Sequence, residues 1–338
     1  MITGIVSKYK DENHLDWQKL LAEAIRDPLE LLKILDLDKV KYRDQLIIDS
    51  KFKLFVTRSY VQKIKKGDWN DPLLKQVLPV KAEAQIAVGF MNDPVGDLNA
   101  EVSTGVLHKY QGRVLLITTG ACAVHCRYCF RQHFPYGDSL VNQNNWQNTL
   151  SKLKADESIG EVILSGGDPL MLSEERLQNM CEEIAQIPHI KTIRFHSRIP
   201  VFLPERISSV FLSWVSALPV QRVMVIHANH ANELDGIVGE CLEKLRDAGF
   251  TLLNQSVLLK GINDDADVLS DLSHQLFKYN VLPYYLHQLD KVQRAAHFEV
   301  TRQNAIMLVE QLKNQLPGYL VPRLVEEVSG KRSKQAIV

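Results

Sequence analysis

The sequence predicts an α/β protein built on a parallel sheet, and three observations carry that reading. From residue 113 onward, short apolar runs alternate with longer amphipathic ones six times. The short runs carry the β-branched and aromatic residues expected of strands covered on both faces by helices. Polar residues gather where these runs end: Ser165-Gly166-Gly167-Asp168, His196-Ser197-Arg198, His227, Gln255 and Asp290. In parallel α/β proteins the carboxyl ends of the strands carry the site. Six units suit either an open doubly wound sheet or part of a (β/α) barrel.

Taken in order, residues from about 14 to 66 read as helical. Leu15, Leu20, Leu21, Ala24 and Ile25 recur at three- and four-residue spacing, as do Leu31, Leu32 and Leu35. Residues 67–105, richer in Asp, Pro and Gly, read as an irregular connector. Strands are then expected at 113–119 (RVLLITT), 161–165 (EVILS), 191–196 (KTIRFH), 221–227 (QRVMVIH), 251–256 (TLLNQS) and 282–287 (LPYYLH). Helices are expected at about 142–155, 173–186, 204–217, 233–247, 265–279 and 301–315. The organisation this implies is a helical N-terminal region and connector over 1–104, an α/β core over 105–300, and a C-terminal helix and tail over 301–338.

Composition narrows the function classes. The chain has 338 residues, of which 45% are hydrophobic, enough for a large core. Lys plus Arg number 40 and Asp plus Glu number 40, so the formal net charge is zero. That excludes a generally polybasic protein and offers no electrostatic footprint for direct nucleic-acid binding. No apolar run approaches the ~18 residues of a membrane span. The opening MITGIVSKYKDENHLDW has no apolar core of a secretory signal. A soluble, cytoplasmic protein with no membrane partner is the expectation.

Five cysteines are too few, and odd in number, for a disulfide framework in a chain of this size. Three of them fall in TTGACAVHCRYCFRQHF as Cys122, Cys126 and Cys129, directly after the first core strand. A structural zinc site wants four ligands, which His125 or His133 would complete. An iron–sulfur cluster held by three thiolates is the other reading, and it leaves one iron open to a small molecule. Arg, His and Tyr between the cysteines make a poor segment for plain core packing.

The C-x3-C-x2-C spacing after the first strand, with Tyr128 just before the third cysteine, resembles the radical S-adenosylmethionine (SAM) enzymes. The resemblance implies a partial (β/α)6 barrel and a [4Fe–4S] cluster on Cys122, Cys126 and Cys129. It also implies SAM on the open iron, next to the glycine-rich turn Ser165, Gly166, Gly167 and Asp168. Further segments are similar to the lysine 2,3-aminomutases: CRYCFRQHFPY, LSGGDPL, HSRIPVFLPERI, HANHANE, LLNQSVLLKGIND and PYYLHQLDKVQRAAHF. GDWNDPLLKQVLP and GVLHKYQGR are similar to one branch, the elongation factor P (R)-β-lysylation proteins.

That resemblance implies a second cofactor, pyridoxal phosphate (PLP), carried by a lysine near the C-terminus. Distance from VPRLVEE places it at Lys334, with Lys331 the runner-up. Gln335 and Ala336 follow, where the family commonly has Thr-Pro. The resemblance further implies Arg131 for the α-carboxylate of lysine, and Asp290 and Glu327 for its ε-ammonium. Glu327 stands where aminomutases of free lysine typically have Asp. Arg113 matches a PLP-phosphate arginine, and Lys109 falls where relatives have another. His227 and Gln255 match polar residues near SAM and PLP; Arg198 and His230 are further candidates.

The implied activity is a radical 1,2-amino shift converting L-lysine to (R)-β-lysine. The implied partners are the lysine substrate, elongation factor P and its lysyl ligase, and a reducing donor such as flavodoxin or ferredoxin. A catabolic or osmolyte-forming aminomutase is the alternative in the same chemistry, and those enzymes carry a longer C-terminal extension. A glutamate-specific aminomutase is disfavoured, because Asp290 and Glu327 would repel a side-chain carboxylate. A metal- or cluster-binding protein without turnover is the alternative from another class.

Overall fold

The computed structural model describes residues 16–338 other than Lys51. The expected helical residue Leu15 and nearly all of the opening segment therefore lie outside the described residues. One ten-stranded sheet runs through the chain in sequential order. Its strands are β1 (Glu101–Ser103), β2 (Val106–Tyr110), β3 (Arg113–Thr119), β4 (Glu161–Gly166), β5 (Thr192–Ser197), β6 (Gln221–Ile226), β7 (Phe250–Val257), β8 (Leu282–His287), β9 (Arg323–Glu326) and β10 (Gln335–Ala336). The strands β3 to β9 pair parallel, while β1, β2 and β10 are antiparallel to their neighbours.

The six expected strand–helix units correspond to β3 through β8 and the helices Trp146–Ala155, Glu174–Ala185, Ser209–Ser216, Gly236–Asp247, Ala266–Lys278 and Arg302–Gln315. The helices start where the sequence supplies caps. The side chains of Ser173, Ser208, Asp235, Asp265 and Thr301 each accept a hydrogen bond from a first-turn N–H. Such a cap contributes about 1 kcal/mol. Apolar residues at helical spacing then face the sheet; Leu269, Leu272 and Leu276 are all buried.

Alternation along the strands shows how the sheet curls. Arg113 and Leu115, Ile163 and Ser165, Arg194 and His196, Gln255 and Val257, and Tyr285 and His287 all line a single cavity. Residues two apart share one face of a strand. Strands β3, β4, β5, β7 and β8 presenting that face to one space, with His227 joining them just past the end of β6, make the sheet a partial barrel rather than an open, flat one. Their opposite faces are in the main core, where Leu116, Val162, Ile193, Phe195 and Met224 are buried.

Two regions differ from the sequence expectation. The N-terminal pattern breaks into short helices, Trp17–Ala22, Pro28–Ile34, Lys39–Arg43 and Arg58–Val61. Asp16, Asp27 and Asp38 each cap a new start, and Pro28 at a first-turn position cannot continue a preceding helix. The connector ends in structure rather than in loop: β1 and β2 form a hairpin through Thr104-Gly105, with Gly105 at φ 75°. The turn Gln111-Gly112, with Gly112 at φ 78°, then feeds β2 into β3. This hairpin carries Lys109 and Tyr110 to the cavity. Among the described residues, no helix is long and apolar enough to cross a membrane.

The turn after β4 lies directly on the cysteine loop. A Cβ on Gly167 would stand 2.3 Å from the Ala121 carbonyl oxygen, while Gly137 has nothing within 4 Å. Gly167→Ala should therefore destabilise the protein by about 1–3 kcal/mol through overpacking against rigid backbone. Its denaturation midpoint and its iron content after reconstitution should both fall, with Gly137→Ala unchanged as the control.

Candidate active site

The loop after β3 carries Cys122, Cys126 and Cys129, all free and partly buried. Burial, then the proximity of Cys129, Asp168 and Cys126, pushes the Cys122 thiol far above its ordinary value. Burial and Cys126 push Cys129 up to about 12. Three thiols crowded in this way repel one another as thiolates, a cost that bound iron removes. Among the described residues, no three His, Cys, Asp or Glu side chains are placed to hold a single metal ion. A four-iron cube gives each thiolate its own iron, so the three need not converge on a point. His125, the candidate fourth zinc ligand, instead has its Nδ1 2.8 Å from the Lys53 carbonyl oxygen and stacks on Phe52. His133 is exposed.

Cys126, Tyr128, Cys129 and Arg131 line the barrel cavity from the loop side, and Lys334, Glu327 and Asp290 line it from the C-terminal side. The cavity holds about 1420 Å³ of empty space, open solvent at its mouth included. A buried ionic chain crosses it. Arg131 Nε donates to Asp97 Oδ2 at 2.6 Å, and Lys109 Nζ lies 2.6 Å from Asp97 Oδ1. Lys109 Nζ is also 3.6 Å from Glu327 Oε1, and Lys334 Nζ donates to Glu327 Oε2 at 2.9 Å. The Tyr110 hydroxyl donates to Glu327 as well. Burial would raise the Asp97 carboxyl, but Arg131 and Lys109 outweigh it and hold it below the ordinary range. Burial also opposes ionisation of Glu327, where Lys334, Tyr110 and Lys109 prevail.

The sequence-predicted residues divide into two sets. Cys126, Cys129, Arg113, Tyr128, Arg131, Ser165, His227, Gln255, Asp290, Glu327 and Lys334 all line this cavity. Gly166, Gly167 and Asp168 lie in the turn behind it. The Asp168 carboxylate accepts from Ser197 Oγ, Arg198 N and Leu170 N, tying β4 to β5. Cys122 interacts with the other two cysteines without lining the space. Lys331 is exposed, whereas β10, paired to β9 through Gln335 and Glu326, brings Lys334 back over the cavity.

Sequence reasoning did not single out Asp97, Tyr110, Tyr285 and His287, which also line it, as does His196, named from the sequence as a polar strand end without a role. His196 Nε2 and His287 Nε2 are buried with no hydrogen-bond partner. Burial lowers both far below the ordinary histidine value, so they are neutral groups facing the cavity. Gln255 Nε2 and His227 Nε2 lie 2.8 Å apart. The inward register of β8 was the available signal for His287.

These donors fit the expected cofactors. Arg113 and Lys109 offer cations for a phosphate, Lys334 an amine, and the two orphaned imidazoles partners for polar ring atoms. Ser165 and the His227–Gln255 pair lie in the same space as Cys126 and Cys129.

Burial first, then Glu327 and Asp97, pushes the Asp290 carboxyl up to about 7, against the opposing pull of Lys334 and Lys109. Its ordinary value is 3.8, so between pH 4 and 7 the folded protein binds a proton that the unfolded chain has released. Stability from this group is thus complete below pH 4 and lost as pH rises through about 7. The denaturation midpoint of Asp290→Asn should fall less from pH 4 to 7 than that of the unmodified protein, as paired urea titrations would show.

A family model described as a 4Fe-4S single cluster domain matches residues 111–198, the stretch that holds the three cysteines. A radical SAM methyltransferase from Sphaerobacter thermophilus matches 65% of this chain and 68% of its own, at 14% identity and a TM-score of 0.43. L-lysine 2,3-aminomutase of Clostridium subterminale is 31% identical over 97% of this chain and 79% of its own. L-lysine 2,3-aminomutase of Escherichia coli is 45% identical over 94% of this chain and 93% of its own. At that identity over nearly the whole length, the chain belongs to the L-lysine 2,3-aminomutase family, radical SAM isomerases that use a [4Fe–4S] cluster, SAM and PLP.

Proposed function

We propose that this enzyme converts L-lysine to (R)-β-lysine, moving the amino group from C2 to C3, and that the product serves the modification of elongation factor P. The observation that carries the reaction is a single cavity lined at once by Cys126, Cys129, Arg131, Asp290, Glu327 and Lys334. When bound, the cluster with SAM supplies a radical able to remove hydrogen from an unactivated carbon, and PLP supplies a π-system for the migrating nitrogen.

The residues of the chain grip lysine at both ends. Arg131 is held by Asp97 through Nε and by Ser165 Oγ through Nη1 at 3.2 Å, which aims a fixed guanidinium into the cavity for the α-carboxylate. Glu327 already stabilises one lysine ammonium, that of Lys334. With Lys334 engaged by PLP, the same carboxylate and Asp290, whose ionised form the incoming cation favours, serve the ε-ammonium of the substrate. Neutral His196 and His287 add hydrogen-bonding capacity without adding charge that would repel it.

Support for the elongation factor P branch comes from GDWNDPLLKQVLP and GVLHKYQGR. Both segments reach the site: Gln76 Oε1 accepts from the Tyr128 hydroxyl at 3.2 Å, and Lys109 and Tyr110 line the cavity. A low-potential donor of the flavodoxin or ferredoxin type fits the cluster's need for an electron.

Anaerobic protein reconstituted with iron, sulfide and PLP should form β-lysine and release or recycle 5′-deoxyadenosine from SAM, with chiral analysis giving the R product. Loss of the gene should leave elongation factor P lighter by the β-lysyl group in intact-mass spectra. An S product overturns the stereochemistry, and an unchanged mass overturns the pathway. Borohydride reduction and peptide mapping should place the pyridoxyl group on Lys334; a label on Lys331 overturns that assignment.

Asp290→Asn should lower kcat/KM for lysine with cluster and PLP content unchanged. Losing a charge-assisted hydrogen bond costs roughly 1.5–3 kcal/mol. That is about 10- to 150-fold in kcat/KM at ~1.4 kcal/mol per decade. Kinetics equal to the unmodified enzyme would remove Asp290 from the substrate pocket.

A further inference from the structure

Arg198, at the end of β5, uses every N–H of its guanidinium inside the protein. Nε donates to the His227 carbonyl at 3.0 Å. Nη1 donates to Cys126 Sγ at 2.9 Å and to the Tyr128 hydroxyl at 2.6 Å. Nη2 donates to Gln76 Oε1 at 3.1 Å and to Glu233 Oε2 at 2.8 Å. The guanidinium also lies 4.5 Å from the Phe202 ring centroid.

Its acceptors are themselves held. Glu233, fully buried, receives Gln76 Nε2 at 3.0 Å and the backbone N–H groups of Asn229 and His230 at 2.8 and 3.0 Å. Asn229 Nδ2 donates to both Gln76 Oε1 and the Tyr128 hydroxyl, at 3.0 and 2.6 Å. Four separate parts of the chain therefore lock one cation, and one of its hydrogens rests on a cysteine sulfur.

We propose that Arg198 is a positioning residue for the iron–sulfur cluster: its Nη1–H holds the Cys126 thiolate and stabilises the negative charge the cluster gains on reduction. Hydrogen bonds to cluster sulfurs and nearby charge set the reduction potential. The cluster takes one electron from an external low-potential donor, and Arg198 keeps its proton throughout. Glu233 is the opposing element, because its carboxylate damps the positive field that Arg198 presents to the sulfur. The inference rests on Cys126 being a cluster ligand.

The test is a redox titration followed by electron paramagnetic resonance, with dithionite as reductant, on protein reconstituted with iron and sulfide and assayed for iron. Arg198→Gln should keep its iron yet be harder to reduce. At a fixed potential the ratio of reduced to oxidised cluster should fall about tenfold, equivalent to ~59 mV for one electron. Arg198→Lys, which keeps the charge but loses the fork, should fall between. Glu233→Gln should move the other way, becoming easier to reduce. Equal potentials in Arg198→Gln and the unmodified protein, or both variants shifting in the same direction, overturn the proposal. If Arg198→Gln fails to hold its cluster, Glu233→Gln decides, and an unchanged or lowered potential there overturns it. Full iron retention by Cys126→Ala would instead overturn the ligand assignment on which the inference stands.

Discussion

Three cations and two carboxylates alternate through the interior as Arg131, Asp97, Lys109, Glu327 and Lys334. The rest of the site depends on that chain. Each member comes from a different part of the fold: the cysteine loop, the connector, β2, the segment after β9, and the residue before β10. Removing one member of a buried pair leaves its partner charged without compensation, which costs about 3–5 kcal/mol. The alternation therefore ties the cysteine loop, the connector and β2 to the C-terminal segment. It also leaves one net positive charge, with a cation, Arg131 or Lys334, at each end of the alternation.

The curl of the sheet makes this arrangement possible. A flat sheet would present alternate residues of β3 to β8 to a broad face. The partial barrel gathers them around one space, so the groups of the cysteine loop and those of the C-terminal strand face each other across it. The cysteine end is kept rigid by backbone contact with the β4 turn and by the five-donor lock on Arg198. The lysine end is kept by a two-residue strand, β10, paired to β9. The two ends are thus held by different means. The cluster side is set in backbone and buried polar network, and the Lys334 side in a short edge strand and one carboxylate.

The histidines add a further constraint. His196, His227 and His287 stand in the same interior as Arg131, Arg198 and Lys334, and burial together with those cations keeps all three neutral, with His227 lowered to about 3. Three more positive charges in this space would add repulsion against Arg131, Arg198 and Lys334. Neutral imidazoles supply hydrogen-bonding atoms without that penalty.

The sequence by itself determined the six strand–helix units, because a period of two and a period near 3.6 are written in adjacent residues. It also determined the cysteine spacing and the polar strand ends, since those chemistries occupy consecutive positions. Cys126, Cys129, Arg131, Ser165, His227, Gln255, Asp290, Glu327 and Lys334 were legible on that basis or through family likeness, and the fold brings them to one cavity. The hairpin of β1 and β2 was missed, although Thr104-Gly105 and Gln111-Gly112 mark its turns. Strands that short carry little periodicity. Asp97, Tyr110 and His287 were hidden for another reason. An aspartate in a connector reads as a solvated turn residue, and a histidine in a strand reads as either face. Only the curl of the sheet decided which face became the interior, and only long-range pairing across it turned Asp97 into the partner of Arg131 and Lys109. Such pairings join residues far apart in sequence, and no local pattern encodes the distance between them.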